Sequence, residues 1–165
     1  MAEQVLLYNR MRRPLDRTHP LDQPLPKGTY RVVVSGWVES EKGAFLMTRL
    51  PDGDAPNAGL WQPVTGNVLE GETSLSAVLR TASAALGLEA EPKKVKLHSA
   101  ERVDRCQSFH DVFRIKATKK LEELTVDTTL LAEARWMMPA EIEQLARQKK
   151  LSPLARNYDD IIFPE

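Results

Sequence analysis

One segment near the middle of the chain constrains the fold more than any other, because a glycine-containing loop leads directly into a helix with recognisable ends. The loop covers residues 61–73, and Thr73 or Ser74 is placed to accept the first free N–H groups of the helix. Gly87 ends it, since glycine adopts the left-handed conformation that closes a helix at little cost. The apolar residues that recur at helical spacing, and that we expect to face the core, are Leu75, Val78, Leu79, Ala82 and Leu86.

Strand patterns surround this loop and helix. β-Branched and aromatic residues over 30–38 predict a strand buried on both faces, and the turn at 41–43 leads into an antiparallel partner over 44–49. A loop rich in proline, glycine and asparagine follows over residues 51–60.

The second half of the chain adds three strands and two helices. Strands are predicted at 95–103, 109–117 and 133–138; Pro139 starts a helix that reaches about Gln148, and a last short helix starts at residues 152–153. The order β-β-α-β-β-β-α with mixed pairings predicts an α+β (mixed α/β) fold.

The first 27 residues are predicted to form a proline-rich N-terminal arm ahead of a domain that spans residues 28–165. Pro14, Pro20, Pro24 and Pro26 interrupt any helix in this arm. We interpret it as an extended strap packed over the domain surface. The alternatives are that it covers a binding cleft or a dimer seam, and the latter implies a homodimer.

Composition removes several classes of function. The 23 basic residues balance 23 acidic ones, so the chain lacks the positive charge of a nucleic-acid-binding protein, and we expect no nucleic acid polymer as partner. Cys106 is the only cysteine, which excludes an internal disulfide and a multi-cysteine zinc site. No apolar run approaches the length of a membrane span and the start of the chain lacks a signal-peptide pattern. We therefore expect a cytoplasmic protein with no membrane partner.

The loop and helix carry a spacing that resembles the Nudix box. Gly66, Glu72, Arg80, Gly87 and Leu88 stand at the family positions. The Trp-Gln-x-Val-Thr-Gly form of the loop is similar to that of dihydroneopterin triphosphate pyrophosphatases. The proline-rich lead-in before the first long strand is similar to the group allied to isopentenyl-diphosphate isomerases. The resemblance implies a Nudix-like α/β/α sandwich with a mixed sheet.

The chain departs from the family pattern at the metal-binding positions. The resemblance implies three helix glutamates that gather Mg²⁺ and help activate water for attack on a diphosphate; here Thr81, Ala84 and Ala85 occupy those positions, on what we expect to be one exposed face. Mg²⁺ requires oxygen ligands and loses its water reluctantly, so one neutral hydroxyl cannot hold it. We predict no metal site and no cofactor. The expected function is binding of a nucleotide-like or diphosphate-like small molecule, or of a partner, with little or no Mg²⁺-dependent hydrolysis.

An active hydrolase of a nucleoside diphosphate linked to another moiety is the alternative. It requires Mg²⁺ and carboxylates displaced from the helix, and its candidate catalytic residues are Glu70, Glu72 and Glu101. The resemblance gives Glu70 and Glu72 mainly an assisting or bracing role, and it implies that Arg80 holds the loop.

The candidate ligand-binding residues are Trp61, Arg80 and Phe109. The two aromatic rings can stack on a base, although aromatic residues in a mixed sheet more often belong to the core. Asp104 and Asp111 lie where Nudix enzymes often place a further carboxylate, but we interpret such carboxylates as solvated surface charges.

The remaining reactive side chains give no pattern of catalysis. His98 and His110 are interpreted as strand-face residues because their spacing does not suit a metal site. Cys106 lies in a polar loop, and no neighbouring base is evident that would make it a nucleophile.

Overall fold

A computed structural model describes residues 3–117 and 123–163 of the chain. No helix within these ranges is long and apolar enough to cross a membrane. The described strands and helices, in chain order, are β1 (Gln4–Tyr8), β2 (Pro14–Pro20), β3 (Arg31–Glu39), β4 (Phe45–Arg49), β5 (Trp61–Gln62), β6 (Val64–Asn67), α1 (Ser74–Leu86), β7 (Val95–Val103), β8 (Ser108–Lys116), β9 (Glu133–Met137), α2 (Pro139–Arg147) and α3 (Tyr158–Ile162).

Strand β3 forms the centre of a mixed sheet with the order β5-β4-β3-β8-β7, in which β6 also pairs with β3 and β9 with β4. β3 and β8 run parallel, whereas the other strand pairs of this sheet run antiparallel. The α+β architecture and the predicted strands are confirmed. The segment at 61–67, interpreted from the sequence as part of a loop, instead forms β5 and β6.

The sheet carries a hydrophobic core on each face because β3 is apolar on both sides, as predicted. Val32, Val34 and Val38 pack in the first core with α1. Trp37 points to the opposite face and packs in the second core, whose other members include Phe45, Met47, Met137, Ile142 and Ile161. The helices therefore enclose the sheet from both sides.

Helix α1 begins and ends where the sequence predicts. The Thr73 hydroxyl accepts the Ser76 N–H at 3.1 Å, and Gly87 closes the helix at φ 64°, which places Leu88 in the first core. The expectation that Leu75 faces the core is wrong, because its side chain is 37% exposed. The helix packs instead through a face of mostly small side chains, formed by Ala77, Val78, Thr81, Ala82, Ala85 and Leu86.

Gly66 on β6 lies in close contact with Thr81 on α1. A methyl group at Gly66 would overlap the Thr81 hydroxyl and lie 3.0 Å from Thr81 Cγ2. The hydroxyl is held in this position because it donates to the Ala77 carbonyl at 2.8 Å. Position 66 therefore requires glycine, because the space between β6 and α1 does not admit a side chain there.

The N-terminal arm packs on the domain, but as a hairpin of β1 and β2 and not as a single extended strap. Val5 and Leu7 are fully buried. Tyr8 and Tyr30 exchange two backbone hydrogen bonds of 2.9 and 2.8 Å, which join the hairpin to the start of β3.

The turn of this hairpin delivers Arg12 to Asp111 on β8. The two nitrogens of the Arg12 guanidinium donate to the Asp111 carboxylate at 2.7 and 2.6 Å, and the Ser74 hydroxyl donates at 2.5 Å. Asp111 is 3% exposed, so its interpretation as a solvated charge is wrong. Burial alone would raise the pKa of Asp111, but these hydrogen bonds outweigh it and hold the pKa below its usual range. Arm, sheet and helix meet at this carboxylate.

The first prediction concerns this ion pair. Arg12→Met should lower the free energy of unfolding by about 2 kcal/mol, because it removes charged hydrogen bonds from a buried carboxylate, an effect reduced by the partial exposure of Arg12. Urea denaturation at neutral pH measures the difference. Arg13→Met, which changes the exposed neighbouring arginine, should stay within about 0.5 kcal/mol of the parent.

The effect of Arg12→Met should also depend on pH. The folded-state pKa of Asp111 lies below its unfolded value of 3.8, so the ionised carboxylate contributes stability above pH 3.8 that is lost as the pH falls through the folded-state pKa. The difference in stability between the parent and Arg12→Met should therefore narrow below pH 3.8. A constant difference across the acid range would contradict the assigned pairing.

The second prediction concerns the contact between helix and sheet. Gly66→Ala should lower the free energy of unfolding by about 1–3 kcal/mol, because the added methyl group forces α1 away from β6. Combining it with Thr81→Ala should recover most of the loss, since the overlapping hydroxyl is then absent; Thr81→Ala alone is the control. If the double variant is as unstable as Gly66→Ala, the contact is not the cause.

Candidate functional site

A cleft of about 400 Å³ opens between α1 and the ends of β4, β5 and β6. The N-terminal arm contributes Glu3, and the segment before β9 contributes Leu130 and Leu131. Its polar lining residues from the sheet and helix are Thr48, Gln62, Thr65, Asn67, Arg80 and Thr81. The cleft therefore lies on the loop and helix that carry the Nudix-like spacing.

An ion pair between Glu72 and Arg80 braces the rim of the cleft. Arg80 donates to both carboxylate oxygens of Glu72, from Nε at 2.6 Å and from Nη2 at 3.1 Å. Nη2 also donates to the Asn67 carbonyl at 2.8 Å, and Glu72 accepts the Leu69 N–H at 2.9 Å. Burial would raise the pKa of Glu72, but the hydrogen bonds from Arg80 and Leu69 lower it by more. Glu72 therefore holds the loop as an anion and is a weak base.

The side of α1 that faces the cleft carries Thr81, Ala84 and Ala85. Only Ala84 is exposed; Thr81 and Ala85 are buried, so the expectation of a fully exposed face is wrong. The close approach of α1 to β6 covers Thr81, and Ala85 belongs to the first core. No group of three or more histidine, cysteine, aspartate or glutamate side chains that could hold a metal ion occurs within residues 3–117 and 123–163. The residues of this face do not fit Mg²⁺, which requires several oxygen ligands.

The three candidate catalytic glutamates do not come together. Glu101 lies on the α3 side of the sheet, where it accepts hydrogen bonds from Arg156 at 2.5 Å and Asn157 at 2.9 Å. The hydrogen bond from Arg156 holds the pKa of Glu101 below its usual range. Glu70 is exposed in the loop before α1, and Glu72 is paired on the α1 side.

Both candidate stacking rings lie in the hydrophobic cores and outside the cleft lining. Trp61 belongs to the second core, with the Arg135 guanidinium 5.4 Å from its ring centroid. Phe109 belongs to the first core, where its ring centroid lies 5.2 Å from that of Tyr30. Of the candidate ligand-binding residues, the structure places Arg80 at the cleft.

The other reactive side chains are also away from the cleft lining. Asp104 accepts the Tyr30 hydroxyl at 2.6 Å, and both Cys106 and His98 are exposed. His110 is buried on β8 against Ser35, 2.7 Å from its hydroxyl. Burial lowers the pKa of His110, so this side chain is neutral at neutral pH.

Sequence analysis missed two amide side chains in the cleft, those of Gln62 and Asn67. The amide oxygens of both are buried and have no hydrogen-bond partner among the described residues. The alternation of side chains along a strand was the one available signal, because a Trp61 that faces one core places Gln62 on the opposite face.

Comparisons with a family model and with related sequences agree with the Nudix-like spacing of the loop and helix. The family model of the NUDIX domain matches residues 29–158. An uncharacterized Nudix hydrolase of Listeria monocytogenes is 24% identical over 148 residues, which cover 89% of this chain and 86% of the relative. A second one, from Listeria innocua, matches to the same extent.

Solved structures of low sequence identity share the fold. The Deinococcus radiodurans protein DR0079 is 15% identical, with a TM-score of 0.74 over 91% of this chain and 92% of that one. The NUDIX domain of Shewanella oneidensis NrtR, complexed with ADP ribose, is 16% identical, with a TM-score of 0.59 over 84% of this chain and 95% of that one. The expected Nudix-like architecture is thus confirmed. Since the NUDIX model matches most of the sequence, this chain belongs to the Nudix family.

Proposed function

We propose that this protein is a Nudix-fold binding protein with little or no Mg²⁺-dependent hydrolysis, and that its cleft takes a nucleotide-like or diphosphate-like small molecule. The observation that carries the proposal is the α1 face at the cleft. Its one hydroxyl, on Thr81, already donates to the Ala77 carbonyl, and its two alanines supply methyl groups. Carboxylate oxygens offset the cost of dehydrating Mg²⁺ in protein sites, and these three residues supply none.

The acid–base groups at the cleft also favour binding over hydrolysis. An efficient general base has a pKa near the working pH, whereas the pKa of Glu72 is lowered and its oxygens are held by Arg80. The alternative, a hydrolase that uses Glu70, Glu72 and Glu101, requires Glu101 to act across the sheet. Its carboxylate is instead bound to Arg156 and Asn157.

The cleft retains features suited to an anionic ligand with an organic part. The Arg80 side chain is 38% exposed at the rim, where its guanidinium, while paired with Glu72, is placed to donate a further hydrogen bond to a phosphate group. Leu50, Leu69, Leu130 and Leu131 supply an apolar lining beside the polar residues. The NrtR domain complexed with ADP ribose supports a ligand of this class by analogy of fold.

Metal dependence gives the third prediction. Millimolar MgCl₂ should leave the Tm of the parent unchanged relative to NaCl at equal ionic strength. The variant Thr81→Glu/Ala84→Glu/Ala85→Glu should have a lower Tm, because two of the new carboxylates are buried and all three repel one another, and MgCl₂ should raise it again by binding the folded state.

The matched control for this experiment carries Thr81→Gln/Ala84→Gln/Ala85→Gln, which has the same shape without the charge. Its Tm should not respond to MgCl₂. An equal response of the parent and the glutamate variant would show that the natural chain already holds a metal site, and would overturn the proposal.

Ligand binding gives the fourth prediction. ADP, GDP, CDP or UDP should raise the Tm of the parent in the absence of a divalent metal, since a ligand of the folded state stabilises it by mass action. Chromatography should recover the stabilising nucleotide intact after prolonged incubation with MgCl₂. Glu101→Gln should bind it as the parent does, whereas steady release of nucleoside monophosphate that Glu101→Gln abolishes would support the hydrolase.

A further inference from the structure

Two buried amide oxygens of residues that line the cleft have no hydrogen-bond partner. Among the described residues, four buried side-chain atoms have no hydrogen-bond partner, and two of them, Gln62 Oε1 and Asn67 Oδ1, belong to side chains that line the cleft. The other two, Arg31 Nε and Trp136 Nε1, do not belong to cleft-lining residues. Burial of an unpaired amide oxygen is unfavourable, so such atoms concentrated at one cleft indicate a partner from outside the chain.

Gln62 is held in place by its backbone and not by its amide. It pairs with Thr48 across β4 and β5, and the Thr48 hydroxyl donates to the Gln62 carbonyl at 2.9 Å. Its neighbour Trp61 is fixed in the second core, so strand alternation directs Gln62 to the cleft. The residue is 5% exposed, and its amide oxygen is buried there without a donor.

The hydroxyl groups that share the cleft cannot supply the missing donor. The hydroxyl of Thr48 donates to Gln62 O, that of Thr65 to Pro63 O at 2.8 Å, and that of Thr81 to Ala77 O at 2.8 Å. A hydroxyl has one hydrogen atom, so none of the three has one left for the Gln62 amide.

We propose that Gln62 recognises the ligand through a planar edge on which a hydrogen-bond donor stands beside an acceptor, as on a nucleobase or a carboxamide. The side-chain amide has the matching C=O and NH₂ groups and pairs with such an edge through two hydrogen bonds. Phosphate oxygens accept hydrogen bonds only, so a diphosphate cannot satisfy Gln62 Oε1; the Asn67 amide offers a second contact of the same kind. This assignment rests on the proposed function. It places the nucleobase or carboxamide of the ligand at β5 and its phosphate groups towards Arg80.

A stability measurement tests the unpaired amide without any ligand. Gln62→Met, nearly equal in shape, should raise the Tm of the free protein by about 2–4 °C, because it removes a buried polar group that has no partner. The matched control is Gln107→Met. The Gln107 amide donates to Pro26 O and Thr29 O, both at 3.0 Å, so the same substitution should lower the Tm there. Gln62→Leu should behave as Gln62→Met does.

A ligand measurement then tests the recognition. Adenosine, guanosine, cytidine, uridine and nicotinamide, none of which carries phosphate, are each added to the parent and to Gln62→Met, with inorganic pyrophosphate as the acceptor-only probe. At least one of the five phosphate-free compounds should raise the Tm of the parent in a saturable manner. The same compound should leave the Tm of Gln62→Met unchanged. Stabilisation by nicotinamide alone would assign a carboxamide, and stabilisation by a nucleoside would assign a base.

Three results would overturn the assignment of Gln62. The first is a Tm of free Gln62→Met and Gln62→Leu that falls as it does for Gln107→Met. The second is that none of the phosphate-free compounds stabilises the parent, whether or not pyrophosphate does. The third is stabilisation by a nucleoside to the same extent in the parent and in Gln62→Met. All three leave the proposed function standing, which fails separately if the Tm of the parent responds to MgCl₂.

Discussion

The close approach of helix α1 to strand β6 determines how the rest of the structure is arranged. Gly66 lies against Thr81 without room for a methyl group between them, so the helix rests on the sheet through small side chains. Thr81 and Ala85 are buried on this side of the helix, whereas Ala84 and Leu75 are exposed. Close-packed interiors transmit small changes in side-chain volume, so we expect a larger residue at position 66 to displace α1 and change the cleft, whose lining includes Gly66 and Thr81.

The residues of the Nudix box separate into two groups with different physical roles. Gly66, Glu72, Arg80 and Gly87 shape the backbone, through a close contact, an ion pair that also binds the Asn67 carbonyl, and a left-handed helix end. Of the three positions of the family glutamates, Thr81 takes part in the close contact with Gly66, whereas Ala84 and Ala85 take part in none of these interactions. The chain keeps the first group and has neutral residues at the positions of the second. The fold that the first group supports therefore does not by itself establish the reaction.

The sequence predicts those features that are set by residues close together in the chain, and it misses those that depend on contacts between distant residues. The caps of α1, the burial of β3 on both faces and the turn before β4 arise from neighbouring residues, and all three were predicted. The pairing of Arg12 with Asp111 joins positions far apart in the chain, so no local pattern indicates it. Helical periodicity identified the apolar side of α1 but not the part of it that meets β6, which is why Leu75 was placed in the core. The unpaired amide oxygen of Gln62 follows from the carbonyl acceptors that lie beside the hydroxyls of Thr48, Thr65 and Thr81, and these neighbours are known only from the structure.

The cleft combines two features that have opposite effects on the stability of the free protein. Three carboxylates on a half-buried helix face would repel one another and lose hydration, so neutral residues at Thr81, Ala84 and Ala85 stabilise the fold. The buried amide oxygens of Gln62 and Asn67, in contrast, are unfavourable until a donor meets them. A cleft selected for stability alone would hold apolar residues at both amide positions. The proposed ligand would supply these donors, so the proposed binding function depends on these two amides more than on any other residue of the cleft lining.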